Sequence, residues 1–234
     1  IWNGKVVNVT ENRQALHPAL RGSRDSFFPK DIMNEVTKQK KQMLKIAEGV
    51  RNGNIKSHSG KKYTSVLAIG IGGSDLGPRM SVKALTPFKS NIDVRFVSNI
   101  DPSDLINVTA DLDPSKTLII VSSKTFTTIE TLTNAKAAFN WLAKNIGEIG
   151  AKNQQYAITS NFDNAKKFGF DATKILLFSE WVGGRTSIWS SVGLPLAISI
   201  GEKLFKEFLI GGYSVDKHMN CLLYTSPSPR DITP

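Results

Sequence analysis

The sequence predicts an α/β fold, a doubly wound, mostly parallel five-stranded sheet with a helical N-terminal extension. Three observations lead there. From Tyr63 onward, five short apolar runs alternate with amphipathic stretches of helical spacing. Those runs are apolar at nearly every residue, the pattern of strands covered on both faces of a parallel sheet. A chain of 234 residues that is 40% hydrophobic can fill such a core, and no run reaches the eighteen or so apolar residues of a membrane helix.

Residues 1–62 read as a helical, peripheral segment. One basic amphipathic helix puts Ile32, Val36, Met43, Ala47 and Val50 on one side and Lys38, Lys40, Lys41 and Lys45 on a solvated face. It ends at Asn52-Gly53, where glycine relieves the strain of a left-handed cap. Strands are expected over 64–69, 92–97, 117–121, 156–159 and 174–178, with helices near 76–85, 104–112, 128–146 and 161–168. The Gly183-Gly184 turn leads into a helix from Thr186, which Pro195 either kinks or restarts. Residues 63–222 form one domain. Residues 223–234, with three prolines, two serines and no periodicity, are expected to be a foreign appendage.

Thirty basic against twenty acidic residues give +10, which invites a nucleic-acid reading until the charge is located. Up to Lys62 there are thirteen Lys and Arg against five Asp and Glu, so +8 sits there and +2 on the rest. Lysines on one helix face, with no aromatic residues among them, argue against nucleic acid. The single cysteine, Cys221, forms no internal disulfide, so a cytoplasmic location is the default. Asn8-Val9-Thr10 and Asn107-Val108-Thr109 would be glycosylation acceptors only in a secreted protein. Ile1 opens the chain without the zones of a signal peptide, and the sequence is expected to be a piece of something longer.

Ligands of open parallel sheets bind beyond the carboxyl ends of the strands, so those loops carry the functional signal. The first strand runs into Gly70-Ile71-Gly72-Gly73-Ser74-Asp75-Leu76-Gly77. Asp75 breaks the dinucleotide fingerprint, Ser98-Asn99 stand where a ribose-binding acid would end the second strand, and Pro78-Arg79 replace the Lys and Ser/Thr of a P-loop. The glycines themselves show only a tight strand-to-helix turn. The third strand runs into Ser122-Ser123-Lys124-Thr125-Phe126-Thr127-Thr128, which offers several hydroxyl donors and one ammonium at a helix start. That set suits a monoester phosphate. Equally, Thr127 or Thr128 could cap the Glu130 turn with the other hydroxyls solvated. In Glu180-Trp181-Val182-Gly183-Gly184-Arg185, Arg185 either stabilises charge on a substrate oxygen or pairs structurally with Glu180.

These segments, Gly70 to Pro78, Ser123 to Thr128 with Glu130-Thr131, and Trp181 to Arg185, resemble three signatures of the glucose-6-phosphate isomerase family in order and spacing. Thr10-Glu11-Asn12-Arg13 and Leu16-His17-Pro18-Ala19-Leu20-Arg21 resemble its upstream region, and the likeness runs from about residue 3 to His218. Thr186 stands where an aromatic is usual, and Ile129 where glutamine is common. The resemblance implies that residues 63–222 are a first sugar-isomerase domain. It implies aldose–ketose isomerisation of glucose 6-phosphate to fructose 6-phosphate through a cis-enediol, without metal or cofactor, in a homodimeric intact protein. Carried over, Ser123, Lys124, Thr125 and Thr128 bind phosphate, Gly73 and Ser74 contact the sugar, and Arg185 stabilises the enediolate. The family's glutamate base and its ring-opening histidine and lysine lie in regions further along, so this chain alone is expected to be inactive. His17, His58 and His218 read as structural or solvent-facing. A non-catalytic phosphosugar sensor is the alternative, which has no need of Arg185.

Overall fold

The computed structural model describes residues 5–9, 12–22 and 28–221. The element order is β1 (Val6–Asn8), β2 (Arg13–Gln14), α1 (Lys30–Asn52), β3 (Ser65–Ile69), α2 (Gly73–Ala84), β4 (Asp93–Val97), α3 (Pro102–Thr109), β5 (Thr117–Ser122), α4 (Ile129–Asn153), β6 (Gln155–Thr159), α5 (Phe162–Phe168), β7 (Ile175–Leu177) and α6 (Leu194–Cys221). Strands β3 to β7 form a five-stranded sheet in the order β4-β3-β5-β6-β7, and every pair in it is parallel. Each expected strand appears within two residues of its bounds. No helix is long and apolar enough to cross a membrane among the described residues.

Alternation within the buried strands builds two cores. Val66, Leu118, Ile120, Tyr156, Ile158 and Leu176 face a cluster shared with α1 and α6. Their neighbours Leu67, Ile69, Ile119, Val121, Ala157 and Ile175 face Leu105 of α3, Ala138 and Leu142 of α4 and Ala165 of α5. Side chains point to opposite faces at successive strand positions, so uniformly apolar strands need helices on both sides. Parallel strands also put all their carboxyl ends on one edge, which is where the three singled-out loops emerge.

The N-terminal segment departs from the expectation in two ways. Residues 5–22 are not helical throughout, because β1 and β2 pair antiparallel, with Val6 opposite Gln14. Asn12 takes the left-handed backbone (φ 50) that asparagine tolerates at a turn. Nor is the segment peripheral. Leu16, Ala19 and Leu20 are buried, and Val36, Met43, Ala47 and Val50 of α1 belong to the main core. Helix α1 ends at Gly53, φ 74, as glycine at that position requires. Lys38, Lys41 and Lys45 are exposed, but Lys40 is half-buried. Burial and nearby Lys206 pull its ammonium down to about 8.

After β7 the expected helix from Thr186 is replaced by two 3-10 turns, Gly184–Trp189 and Ser191–Gly193. Helix α6 begins only at Leu194. Pro195 therefore lies in its first turn, where a missing N–H costs nothing. The break in α6 falls instead at Gly201 (φ 87, ψ 164). Residues 223–234 lie outside the described residues.

Candidate active site

The first loop turns on Gly72, whose φ of 57 and ψ of −119 only glycine adopts readily. Helix α2 then starts at Gly73, with no side chain capping its first N–H groups. Asp75, which disqualified the dinucleotide reading, is buried and pairs with Arg79 at 2.9 Å. Arg79 also donates to Ser98 Oγ at 3.0 Å. Asp104 accepts from the N–H groups of Ser98 and Asn99 (3.2 and 3.0 Å). The positions that a nucleotide would need are thus committed to bracing the loops after β3 and β4.

The second loop is fastened by its main chain. The Lys124 carbonyl accepts from Ser160 N–H (2.9 Å), Ser160 Oγ (2.8 Å) and Thr159 Oγ1 (2.9 Å), and Asn164 donates to the Thr125 carbonyl (2.9 Å). Phe126 follows with φ 54, strained for an L-residue. Its ring is buried edge-on against Phe168 and Phe170, at centroid distances of 5.8 and 5.5 Å. Hydrophobic anchoring holds a conformation the backbone disfavours and turns the flanking residues outward. Ser123 Oγ donates to Thr128 Oγ1 at 3.3 Å, and the Thr125 and Thr127 hydroxyls meet at 2.7 Å. Thr128 occupies the cap position of α4 without a side-chain hydrogen bond to it. The helix-cap alternative therefore fails, and the first amides of α4 stay available to an anion.

The third loop closes on both others. Lys124 Nζ donates to the Val182 carbonyl at 2.9 Å. Ser187 Oγ donates to the Gly73 carbonyl at 3.0 Å. A Cβ on Gly73 would sit 2.2 Å from the carbonyl carbon of Gly184, so the two backbones approach too closely for Gly73 to carry a side chain. Arg185 is exposed and makes no hydrogen bond or ion pair among the described residues. Pairing with Glu180 is thereby absent, and the Glu180 carbonyl instead accepts from Arg13 at 3.4 Å. Thr186, in place of an aromatic, bonds back to the Gly183 carbonyl at 3.1 Å and tightens its own turn. Ile129 is 74% exposed.

A cavity of about 200 Å³ lies against Lys124, Gly183 and Thr186, and its other wall comes from Arg13, Gln14 and His17. It brings in Lys124 alone of the predicted site residues; Gly73, Ser74, Ser123, Thr125, Thr128 and Arg185 lie outside its lining. The expected site includes none of the three N-terminal residues, and His17 is expected there to be structural or solvent-facing. Their signals are the family-like segments Thr10 to Arg13 and Leu16 to Arg21 and the dense polar run Asn12-Arg13-Gln14, which periodicity does not explain.

His17 is held by chemistry that reaches across the fold. Arg21 donates to His17 Nδ1 at 3.1 Å and to both oxygens of buried Asp216 at 2.7 and 2.6 Å. Since guanidinium only donates, Nδ1 is unprotonated and His17 is the neutral Nε2–H tautomer. Burial, then Arg21, lower its pKa against the opposing pull of Asp216. His58 is exposed and meets Asn153, away from the loops. Among the described residues no three His, Cys, Asp or Glu side chains converge as a metal would need.

Residues 1–227 match the family model described as phosphoglucose isomerase. The chain is 45% identical over 221 residues to the glucose-6-phosphate isomerase of Rhizobium leguminosarum bv. trifolii, covering 93% of this chain and 41% of that one. It is 41% identical to that of Bartonella bacilliformis, covering 93% and 40%. The crystal structure of a glucose-6-phosphate isomerase from Chlamydia trachomatis superposes with a TM-score of 0.75 at 27% identity, over 94% of this chain and 41% of that one. The chain thus spans about two fifths of the length of the relatives it matches. With three signature loops meeting at one sheet edge and a family match across nearly the whole chain, this chain belongs to the phosphoglucose isomerase family.

Proposed function

We propose that this chain supplies the phosphosugar-binding part of an enzyme that interconverts glucose 6-phosphate and fructose 6-phosphate, with residues 63–222 as its first sugar-isomerase domain. The observation that carries the reading is the convergence of the three loops through the Lys124–Val182 hydrogen bond and the Gly73–Gly184 contact. Ser123, Lys124, Thr125 and Thr128 hold the phosphate. The hydroxyls donate to its oxygens, the α4 amides add their partial positive charge, and the Lys124 ammonium adds a full one. Gly73 and Ser74 contact the sugar from the first turn of α2.

The reaction moves one hydrogen from C2 to C1 and one proton from O2 to O1, and is internally redox-neutral. A base removes the C2 proton, the electron pair spreads onto the C1 carbonyl oxygen to give a cis-enediolate, and return of the proton to C1 as the O2 proton passes to O1 leaves the C2 ketone. Charge growing on the oxygens is met by Arg185, whose guanidinium is uncommitted among the described residues. The base and the ring-opening groups come from the parts of the relatives that this chain does not span. The intact protein is read as a cytoplasmic homodimer. A phosphosugar sensor would gain nothing from an uncommitted arginine beside the sugar, which favours the enzyme.

Titration calorimetry with inorganic phosphate and glucose 6-phosphate tests the cradle. Lys124→Ala should weaken both by roughly tenfold to a hundredfold, the range of one charge-assisted contact. Equal binding by the two proteins sinks the assignment.

A further inference from the structure

We propose that the groove between α4 and α5 is a second ligand site, fitted to a planar heteroaromatic anion of nucleoside-monophosphate size. Its cavity of about 380 Å³ is larger than the one beside Lys124 and within the usual range of small-molecule pockets. The floor is Gln155, only 7% exposed, whose side-chain amide has no hydrogen-bond partner among the described residues. A buried amide without a partner is costly, and this one lines a cavity. Gln155 opens β6, so it stands at the amino end of the sheet, opposite the strand ends that carry the phosphate loop.

The ligand class follows from the walls. Phe168 and Phe170 lie stacked at 6.1 Å and 21°, and Phe139 faces them from α4, which offers aromatic surface to a flat ring. The Gln155 amide presents a donor beside an acceptor, the complement of the N6–N7 edge of adenine. At the rim Lys136 and Lys152 are exposed and make no ion pair among the described residues, so both are available to a phosphate. Helix α4 breaks at Gly147 (φ 76, ψ 162), a conformation that requires glycine, and the short segment beyond it carries Glu148 and Lys152 to the groove. Glu148 suits hydroxyls of a sugar.

Adenosine 5′-monophosphate is the probe, titrated into the 234-residue chain with adenosine and inorganic phosphate as separate arms. One saturable site is expected, weakened about tenfold or more by Gln155→Leu and by Phe168→Ala, and unchanged by Lys124→Ala. Phe168 is partly exposed, so its variant keeps the test valid if Gln155→Leu fails to fold. Adenosine should bind more weakly than its phosphate. Absence of saturable binding overturns the proposal. So does binding that is lost with Lys124→Ala but kept with Gln155→Leu and Phe168→Ala, or that inorganic phosphate fully displaces, because the nucleotide would then occupy the phosphate loop.

Discussion

The Glu48 carboxylate accepts a hydrogen bond from the backbone N–H of Glu202 at 2.9 Å, one helix splicing the break in another. One turn along α1, Arg51 donates to the carbonyls of Ile198 and Ser199 at 2.8 and 3.1 Å. The break at Gly201 leaves orphan carbonyls before it and orphan amides after it. An anion meets the amides and a cation meets the carbonyls, as the two helix dipoles favour.

Glu48→Ala should therefore cost about 1 kcal/mol, the loss of one helix cap. Gly201→Ala should cost roughly 1–3 kcal/mol, since its backbone is nearly closed to L-residues. A Cβ there would also lie 3.0 Å from the Arg51 guanidinium. Urea unfolding of the single and double variants checks this. Full additivity of the pair would argue against a shared splice.

Gly73 and Gly184 touch, but their tolerance should be unequal. A Cβ on Gly73 meets the Gly184 carbonyl carbon and oxygen at 2.2 Å, whereas one on Gly184 meets Gly73 Cα at 3.7 Å. Backbone cannot yield as a side chain can. Gly73→Ala should cost about 1–3 kcal/mol and weaken glucose 6-phosphate binding, while Gly184→Ala should leave both nearly intact. Thermal melts with parallel calorimetry read the contrast, and equal effects at the two sites would contradict it.

Legibility of the fold and site divides along physical lines. The five strands were readable because burial on both faces forces continuous apolar runs, and the loops because they must follow those strands. What stayed hidden depends on distant partners. Nothing local distinguishes Arg13 or His17 as cavity-lining residues, since Lys124 lies more than a hundred positions away. The hairpin of β1 and β2 is too short for its alternation to stand out. Lys40 sits on the polar side of its helix, yet α6 packs beside it and removes the water that periodicity assigns to it.

His17 should make stability depend on mild acidity. Its folded pKa lies below the usual histidine value of 6.5, so the unfolded chain takes up the proton first. The stabilisation from keeping His17 neutral is complete above about 6.5 and is lost as pH falls toward the depressed folded value. His17→Gln should flatten that part of the curve. Denaturation from pH 8 down to 5 decides it, and identical slopes in the two proteins would remove His17 from the account.

Phe126 should act on the phosphate loop through its anchor alone. The ring touches Phe168 and Phe170 and the backbone is held at φ 54. Phe126→Ala should destabilise by about 3 kcal/mol and weaken phosphate binding, although the side chain faces away from the hydroxyls. Phe126→Leu keeps most of the buried volume and should lose less of both. Phosphate affinity unchanged in a folded Phe126→Ala protein would show that the loop holds its shape without the anchor.

Arg185 and Lys124 should separate by the charge each is placed to meet. Lys124 is tied to Val182 beside the hydroxyl loop, so its variant should lose inorganic phosphate and sugar phosphate alike. Arg185 makes no hydrogen bond or ion pair among the described residues and stands on the loop that touches Gly73, nearer the sugar than the phosphate in the proposed binding mode. Arg185→Ala should therefore leave inorganic phosphate affinity within about twofold. Its effect should appear with a five-carbon sugar phosphate that ends in a hydroxamate, whose planar anion mimics the cis-enediolate. Groups complementary to developing charge bind such analogues more tightly than substrates. The loss for that ligand should be about tenfold to a hundredfold, and Arg185→Lys should restore only part of it, because an ammonium lacks the planar fork that engages two oxygens at once. Calorimetry with the three ligands on both variants makes the comparison. An Arg185→Ala protein that loses phosphate and hydroxamate equally would assign the arginine to the phosphate cradle and leave the enediolate without its cation.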